Sequence, residues 1–197
     1  APGWFRISAM SETAPFSLLT AHDSYLFNEG SHFRLYDKLG ARVVSVDGTN
    51  GCYFAIWAPN AERVSLIGDF NGWSPSSHPL HAKGSTGVWE TFIPGIGKGT
   101  LYKFHIESRF NGYRADKADP FALFNEIPPK SASIVWDLDY DWQDRDWLAS
   151  RHRHSGLDQP MAIYEIHLGS WQRVAGEGNR SLSYRELAPR LADYIEH

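Results

Sequence analysis

The chain has 197 residues, of which 42% are hydrophobic and 14% aromatic, and its formal net charge is −4. This composition is typical of a folded globular protein with one domain and part of another, and it excludes a disordered chain. The small negative charge gives no electrostatic reason to bind nucleic acid or an anionic membrane.

The N-terminal residues carry no signal peptide that we recognise, and no apolar run approaches the ~20 residues of a membrane span. We expect residues 1–23 to be an N-terminal extension, with Met10 as the native start and residues 1–9 as an expression remnant. Cys52 is the only cysteine, so an internal disulfide is excluded. A reducing, cytoplasmic location is therefore favoured.

The first predicted elements are short. A helix is predicted across Ser24–Phe27, followed by a loop over residues 26–40 and a strand near Arg42–Val46. Residues 52–57 are then apolar at almost every position, which predicts a strand buried on both faces.

Further strands are predicted at residues 64–67, 88–93 and 101–106. In the last of these Tyr102 and Phe104 share one face and Lys103 the other, which is typical of a half-buried antiparallel strand. Strands at this spacing, with turn signals between them, predict a mainly β fold, an immunoglobulin-like antiparallel β-sandwich over about residues 42–137.

The turn signals include two Asn-Gly pairs. Asn111-Gly112 predicts a hairpin, and Asn71-Gly72 predicts a turn because both residues tolerate a positive φ. The second turn presents Trp73 at the edge of a rigid sheet. An indole face can stack on the apolar C–H face of a sugar ring, so this turn is a candidate carbohydrate-binding site.

Residues 138–160 differ in character, because aspartates alternate with Trp142 and Trp147 before an Arg- and His-rich run. We expect an exposed linker whose tryptophans pack back on the sandwich. His152 and His154 lie in this linker without further spaced ligands, so we predict no metal site.

The last 37 residues predict one βα unit, with a buried strand over Met161–Leu168 and then a helix. Ser183 and Glu186 have the spacing of a capping box. Pro189 predicts a kink, or a helix whose regular part starts there. Glu165 and His167 would share a face of the strand, where we expect a structural hydrogen-bonded pair rather than an active site.

Several motifs resemble one enzyme family. Residues 53–73, 87–90 and 101–104 resemble the glycogen- and starch-binding module that precedes the catalytic barrel in branching and debranching enzymes. Tyr25–His32 and Tyr164–Trp171 are similar to bacterial 1,4-α-glucan branching enzymes. The resemblance implies a binding module over residues 24–137 and the start, one βα unit, of a (β/α)8 barrel over residues 161–197.

The resemblance also implies a glycosyltransferase of the α-amylase superfamily that acts in glycogen biosynthesis and uses no cofactor. Such an enzyme cleaves an α-1,4 bond and passes the chain to a 6-hydroxyl, which requires two carboxyl groups about 5 Å apart. In the family both lie on later barrel strands. We therefore expect no catalytic residue in this chain, and no activity from it alone.

Four residues are candidates for contact with an α-glucan such as glycogen or amylose. Trp73 is the first, and Tyr113 resembles a second stacking position of related modules. Lys103 could donate to sugar hydroxyls. Trp89 is the fourth, although core packing is the alternative for it. We expect the barrel remainder or a neighbouring chain as the other partner.

Two alternatives stay open from the sequence. One is a stand-alone glycogen-binding module with no enzyme attached, which the βα unit after Pro160 disfavours. The other is the N-terminal part of a debranching or trehalose-releasing hydrolase, which the Leu168–Trp171 motif disfavours.

Overall fold

The computed structural model describes residues 16–196. Its described residues form two compact units, which divide between Tyr140 and Asp141. The prediction about Met10 lies outside the described residues, and the limits proposed for the linker stay a prediction.

The first unit contains one α-helix and nine strands. In chain order these are α1 (Ala21–Asn28), β1 (Gly40–Val46), β2 (Thr49–Trp57), β3 (Ala61–Gly68), β4 (His81–Ala82), β5 (Val88–Pro94), β6 (Leu101–Ser108), β7 (Arg114–Lys117), β8 (Phe124–Asn125) and β9 (Ser133–Ile134). Sheet I has the order β1-β2-β5-β4, and sheet II has the order β3-β6-β9-β8 with β7 paired to β6. All the pairings are antiparallel, which confirms the predicted sandwich.

The two sheets enclose an inner core. Phe54 on β2 packs there against Tyr102 on β6, with ring centroids 5.1 Å apart. Alternate positions of β6 point into this core, as the sequence predicted: Tyr102 and Phe104 are fully buried, whereas Lys103 is on the opposite face.

Sheet I is also covered on its other face. Tyr53 and Ala55 of β2 pack in a second, outer core with Leu19 and Leu39, which belong to the segment that precedes β1. Strand β2 is therefore buried on both faces, as predicted. The predicted short helix is confirmed as the longer α1, with Thr20 as its N-cap.

A buried carboxylate ties the N-terminal segment to sheet I. Glu90 accepts a hydrogen bond of 2.6 Å from the Tyr53 hydroxyl and one of 2.7 Å from the Ser17 hydroxyl. Lys83 lies 3.4 Å from the other carboxylate oxygen. These partners satisfy an ion that would otherwise be costly to bury.

A second buried carboxylate joins sheet II to the loop after β7. Asp119 accepts a 2.6 Å hydrogen bond from the Tyr102 hydroxyl and a 2.8 Å bond from the Phe121 N–H. Burial raises the pKa of Asp119. Burial also raises the pKa of the Tyr102 hydroxyl, and the adjacent Asp119 carboxylate adds to that rise. The Asp119 N–H donates to the Ser133 hydroxyl on β9.

The Asn111-Gly112 hairpin is confirmed. Both residues have a positive φ, 56° and 61°, and the Tyr113 N–H donates to the Phe110 carbonyl. This is the geometry of a two-residue turn between antiparallel strands.

The described residues of the second unit form three α-helices and one strand pair. These are α2 (Arg145–His154), α3 (Leu168–Trp171), β10 (Arg173–Val174), β11 (Arg180–Ser181) and α4 (Tyr184–Glu196). Leu182 and Leu187 are its buried apolar residues among those described. The capping box of α4 is confirmed, because Glu186 accepts from the Ser183 N–H at 2.8 Å. The helix passes through Pro189, so it does not begin there.

The predicted strand over Met161–Leu168 is wrong. Residues 161–167 are in no helix or strand, and Ile163 is 85% exposed. A strand needs a hydrogen-bonded neighbour, and the described part of the second unit offers only the short β10–β11 pair. Glu165 and His167 are both exposed, and the His167 ring contacts the Ser170 hydroxyl at 2.7 Å instead.

The predicted linker contains a helix that was missed in the sequence. The basic run predicted as an exposed linker is exposed and forms the last turn of α2, where positive side chains interact favourably with the helix dipole. Its charged residues hid it from a search for apolar periodicity. Trp142 and Trp147 are 67% and 54% exposed, and their packing on the sandwich stays a prediction.

Among residues 16–196, no helix is both long enough and apolar enough to cross a membrane.

Removing the Tyr102 hydroxyl should destabilise the first unit. Tyr102→Phe leaves a buried oxygen of Asp119 without its donor, at an expected cost of about 1–3 kcal/mol. Thermal unfolding followed by circular dichroism measures this. The control Tyr113→Phe changes an exposed hydroxyl and should leave the Tm unaltered. Equal Tm values for both variants would contradict the role assigned to the buried pair.

The stability of the segment around α1 should depend on pH. Burial alone would raise the pKa of Asp23, but hydrogen bonds from Thr20, Lys38 and His32 outweigh it and lower that pKa below its usual 3.8. A lowered carboxyl pKa stabilises the fold above about pH 4, and the contribution is lost as the pH falls below that value.

Asp23→Asn should therefore lower the Tm at pH 7 by about 2–4 °C, the effect of about 1 kcal/mol. The difference from the parent chain should close below pH 4. Asp158→Asn, in an exposed turn, is the control. A difference that stays constant from pH 7 to pH 3 would contradict the charge-based explanation.

Candidate functional site

The loop that follows β3 holds the first candidate residue. Residues 69–71 form a 3-10 turn, and Gly72 and Trp73 then both have φ of 61°. The Trp73 N–H donates to the Gly68 carbonyl at 2.8 Å. The turn predicted at Asn71-Gly72 is confirmed, with its left-handed positions at Gly72 and Trp73.

The side chain of Asn71 explains these positions. Its oxygen accepts from the Gly68 N–H at 3.0 Å, and its amide nitrogen donates to the carbonyls of Leu66 and Ser74 at 3.0 and 3.3 Å. The same nitrogen lies 3.0 Å from a ring nitrogen of His78. One amide therefore fixes both ends of the loop that positions Trp73.

Lys103 lies at the same end of sheet II as Trp73. It pairs with Ile67, one residue before Gly68, and its side chain points away from the inner core. Its ammonium donates to the Ser131 hydroxyl at 2.9 Å. Trp73 is 39% exposed, so part of its indole surface is available to a ligand.

Tyr113 lies at the opposite end of the sheet. Its carbonyl accepts from the Ser108 N–H, whereas Trp73 follows Gly68, which pairs with Tyr102. Ser108 lies six positions after Tyr102 along β6. At ~3.3 Å per residue this is about 20 Å, so Trp73 and Tyr113 do not flank the same sugar ring.

Trp89 belongs to sheet I. It pairs with Ile56 on the inner face, is partly buried against the inner core, and donates its indole N–H to the Ala58 carbonyl at 3.1 Å. The structure thus places Trp89 in the core, in line with the alternative for this residue, and brings only Trp73 and Lys103 to one end of one sheet.

The chemistry of this end suits a neutral polyhydroxylated ligand. Trp73 supplies an apolar ring face, and the ammonium of Lys103 has three N–H donors, of which Ser131 takes one. The Ser131 hydroxyl can both donate and accept. Within residues 16–196 no group of three His, Cys, Asp or Glu side chains is arranged to hold a metal ion.

Two contributors were missed in the sequence. Ser131 is 28 residues away from Lys103 along the chain, and no local pattern connects them. The role of Asn71 had a signal, because it stands three residues after Gly68 in the spacing of a capping box.

Comparison with known proteins agrees with this geometry. Residues 38–122 match the family model for carbohydrate-binding module 48, the isoamylase N-terminal domain. This match covers both sheets up to the loop after β7, including Trp73 and Lys103. The predicted resemblance of these residues to a glycogen- and starch-binding module is thus confirmed.

The relatives of the chain extend beyond this module. It is 51% identical over 182 residues, 91% of its length, to the 1,4-alpha-glucan branching enzyme GlgB of Gloeobacter violaceus, and covers 25% of that protein. It is 49% identical over 92% of its length to the GlgB of Aquifex aeolicus, covering 29% of it. The chain therefore spans only about a quarter of the length of these curated relatives.

Solved structures similar to the chain include two pullulanases. That from Bacillus acidopullulyticus has a TM-score of 0.41 and 20% identity, over 51% of this chain and 12% of that one. The apo pullulanase from Klebsiella pneumoniae has a TM-score of 0.43 and 23% identity, over 53% and 11% of the two chains.

Binding to glycogen should depend on Trp73 and on the loop that holds it. In affinity electrophoresis, Trp73→Ala should weaken retardation by glycogen about tenfold in Kd, equivalent to ~1.4 kcal/mol. Asn71→Ala should also weaken it, because the indole loses its fixed position. Tyr113→Ala is the matched control at the far end of the sheet. A loss with Tyr113→Ala as large as that with Trp73→Ala would contradict the assignment.

Proposed function

We propose that the chain is the N-terminal part of a 1,4-α-glucan branching enzyme of glycogen biosynthesis, in which this segment binds α-glucan and braces the catalytic barrel. The observation that carries the proposal is the 51% identity to one such enzyme over 91% of the chain. The similarity continues well past the match to carbohydrate-binding module 48, which ends at residue 122.

The arrangement around Trp73 supports glucan binding by this segment. An indole held by a fixed loop loses little conformational entropy when a sugar stacks on it. Lys103 and Ser131 are 2.9 Å apart and supply hydrogen-bonding groups at the same end of the sheet. Glycogen and amylose are the ligands proposed.

The reaction of the whole enzyme would take place outside these residues. Retaining transfer from an α-1,4 to an α-1,6 linkage requires a nucleophile and an acid/base about 5 Å apart. We assign neither role to Asp69 or to Glu165. The remaining three quarters of the relatives' length is where such a pair would lie.

The second unit would meet the rest of the enzyme. Met161 and Ile163 are 78% and 85% exposed, and burial of an apolar side chain of this size contributes roughly 1.5–3 kcal/mol. An apolar run of this kind forms a strand when neighbouring strands pair with it on both edges. The proposed partner is the remainder of the barrel or, failing that, a neighbouring chain.

A cytoplasmic location is part of the proposal. Cys52 lies fully buried in β2, and burial raises the pKa of its thiol to about 12, so the thiol stays protonated and unreactive. A lone reduced cysteine suits a reducing compartment.

Two alternatives are weaker. A stand-alone glycogen-binding module would not explain similarity to branching enzymes over nine-tenths of the chain. A debranching or trehalose-releasing hydrolase is disfavoured by the 51% and 49% identity to branching enzymes over about nine-tenths of the chain.

An assay with amylose separates these functions. The full-length protein that contains this sequence should lower the iodine absorbance of amylose without releasing new reducing ends, because a transferase conserves glycosidic bonds. The 197-residue chain alone should do neither, since it lacks the carboxylate pair. Release of reducing ends would favour a hydrolase. Activity of the short chain that scales with its concentration and survives repurification would refute the assignment.

A further inference from the structure

A cleft of about 670 Å³ opens in the first unit, away from Trp73. Its lining includes Tyr36, Arg42 and Phe121 and, from one stretch of chain, Trp136, Asp137 and Asp139. The volume lies within the ~300–1,000 Å³ range of small-molecule sites. Neither Trp136 nor Tyr36 belongs to the candidate site described above.

The lining around Tyr36 is fixed by its neighbours. The Arg42 guanidinium donates to the carbonyls of Ala41 and Tyr36 and so holds the backbone on which the tyrosine stands. The Tyr36 ring is 57% exposed and, within the described chain, packs against no other aromatic ring. It is a preformed flat surface on which an apolar sugar face can stack.

The lining around Trp136 is also held by its neighbours. Lys98 lies over the Trp136 ring, 4.4 Å from its centroid, and donates to Asp137 at 2.9 Å. Phe124 packs against the same indole, with centroids 5.0 Å apart. Trp136 thus lines the cleft, and Tyr36 is the ring with an open face.

Several polar groups of the cleft retain hydrogen-bonding capacity. Both contacts to Asp137, from Lys98 and from the Asp139 N–H, fall on Oδ1, which leaves Oδ2 able to accept. In the described chain the Asp139 carboxylate and the Trp136 indole N–H have no hydrogen-bond partner. Arg42 uses two of its five N–H donors. Donors and acceptors therefore surround one stacking surface.

Charge gives a charged ligand little advantage in this cleft. Three carboxylates line it, but Arg42 lines it too, and Arg34 and Lys98 pair with Asp37 and Asp137. A purely apolar protein surface would cover the remaining polar groups without hydrogen-bonding them, which is unfavourable. A neutral polyol instead offers hydroxyl donors to the carboxylates and a C–H face to the ring.

We propose that this cleft is a second α-glucan-binding site, which stacks a glucosyl unit on Tyr36 and hydrogen-bonds it through Arg42, Asp137 and Asp139. The inference rests on the proposed function, because it takes the ligand class from the glucan-binding module. It adds a site that is independent of Trp73.

The test uses maltoheptaose as the probe, titrated into the 197-residue chain labelled with ¹⁵N. The indole N–H signals of Trp73 and Trp136 report on the two sites separately and are assigned with Trp73→Phe and Trp136→Phe. Both signals should shift on titration. Tyr36→Ala should raise the Kd read at Trp136 at least fivefold and leave that at Trp73 unchanged, and Trp73→Ala should do the reverse.

Two further variants control for structural damage. Tyr36→Phe keeps the ring and should bind like the parent, whereas Asp139→Asn removes an acceptor charge on an exposed residue and should weaken binding at Trp136 only. Tyr25→Ala removes an exposed tyrosine outside both sites and should change neither Kd.

The outcomes separate the two claims. A shift at Trp73 alone would overturn the cleft proposal and leave glucan binding intact, whereas the absence of both shifts would overturn the proposed function as well. A shift at Trp136 that persists unchanged in Tyr36→Ala and Asp139→Asn would overturn the cleft assignment. So would concentration-dependent dimerisation that Tyr36→Ala abolishes, because the occupant would then be a second copy of the chain.

Discussion

Strand β2 is the constraint on which the first unit depends. Its residues 52–56 are almost completely buried on both faces, so a two-layer sandwich alone could not cover it. The segment that precedes β1 supplies the third layer, and the Tyr53–Glu90–Ser17 hydrogen bonds fasten it with a buried ion. Because such an ion is costly without its partners, this layer and sheet I stabilise each other. Sheet I is therefore stabilised by chain that lies upstream of residue 38, where the family match begins.

Sheet II differs from sheet I in its outer face. Its inner face is in the core, whereas its outer face carries polar side chains such as Lys103 and the His105–Asp116 pair, 2.7 Å apart. The positions of side chains along its strands then determine which of them can contact the same ligand. The β3–β6 pairing holds Trp73 near Lys103 and keeps Tyr113 about 20 Å away, so the candidate site is set by strand register more than by residue type.

The sequence allowed much of the first unit to be predicted, because its signals are local. The alternation of apolar and polar residues predicted that Tyr102 and Phe104 share the buried face of their strand. The Asn111-Gly112 pair predicted a hairpin, which has two positive φ angles. The partners of Asp119 and Lys103 could not be predicted, since Tyr102 and Ser131 come close only after the sheets assemble. Asn71 shows the same limit on a smaller scale: its side-chain bonds moved the left-handed positions on to Gly72 and Trp73.

The second unit shows why one pattern succeeded and another failed. Helix α4 carries its own start signal, because the Ser183–Glu186 bonds satisfy N–H groups within one turn, and Arg180 lowers the pKa of Glu186 and so keeps that cap ionised. A strand has no such local source of stability, since its backbone groups must find a neighbour. The run from Met161 to Leu168 has the pattern of a strand, yet residues 161–167 pair with no strand of the described chain, and Leu168 begins α3. An apolar pattern therefore shows that a segment needs neighbours to cover it. Only hydrogen bonds made within the segment, such as a helix cap, show which structure it can form without them.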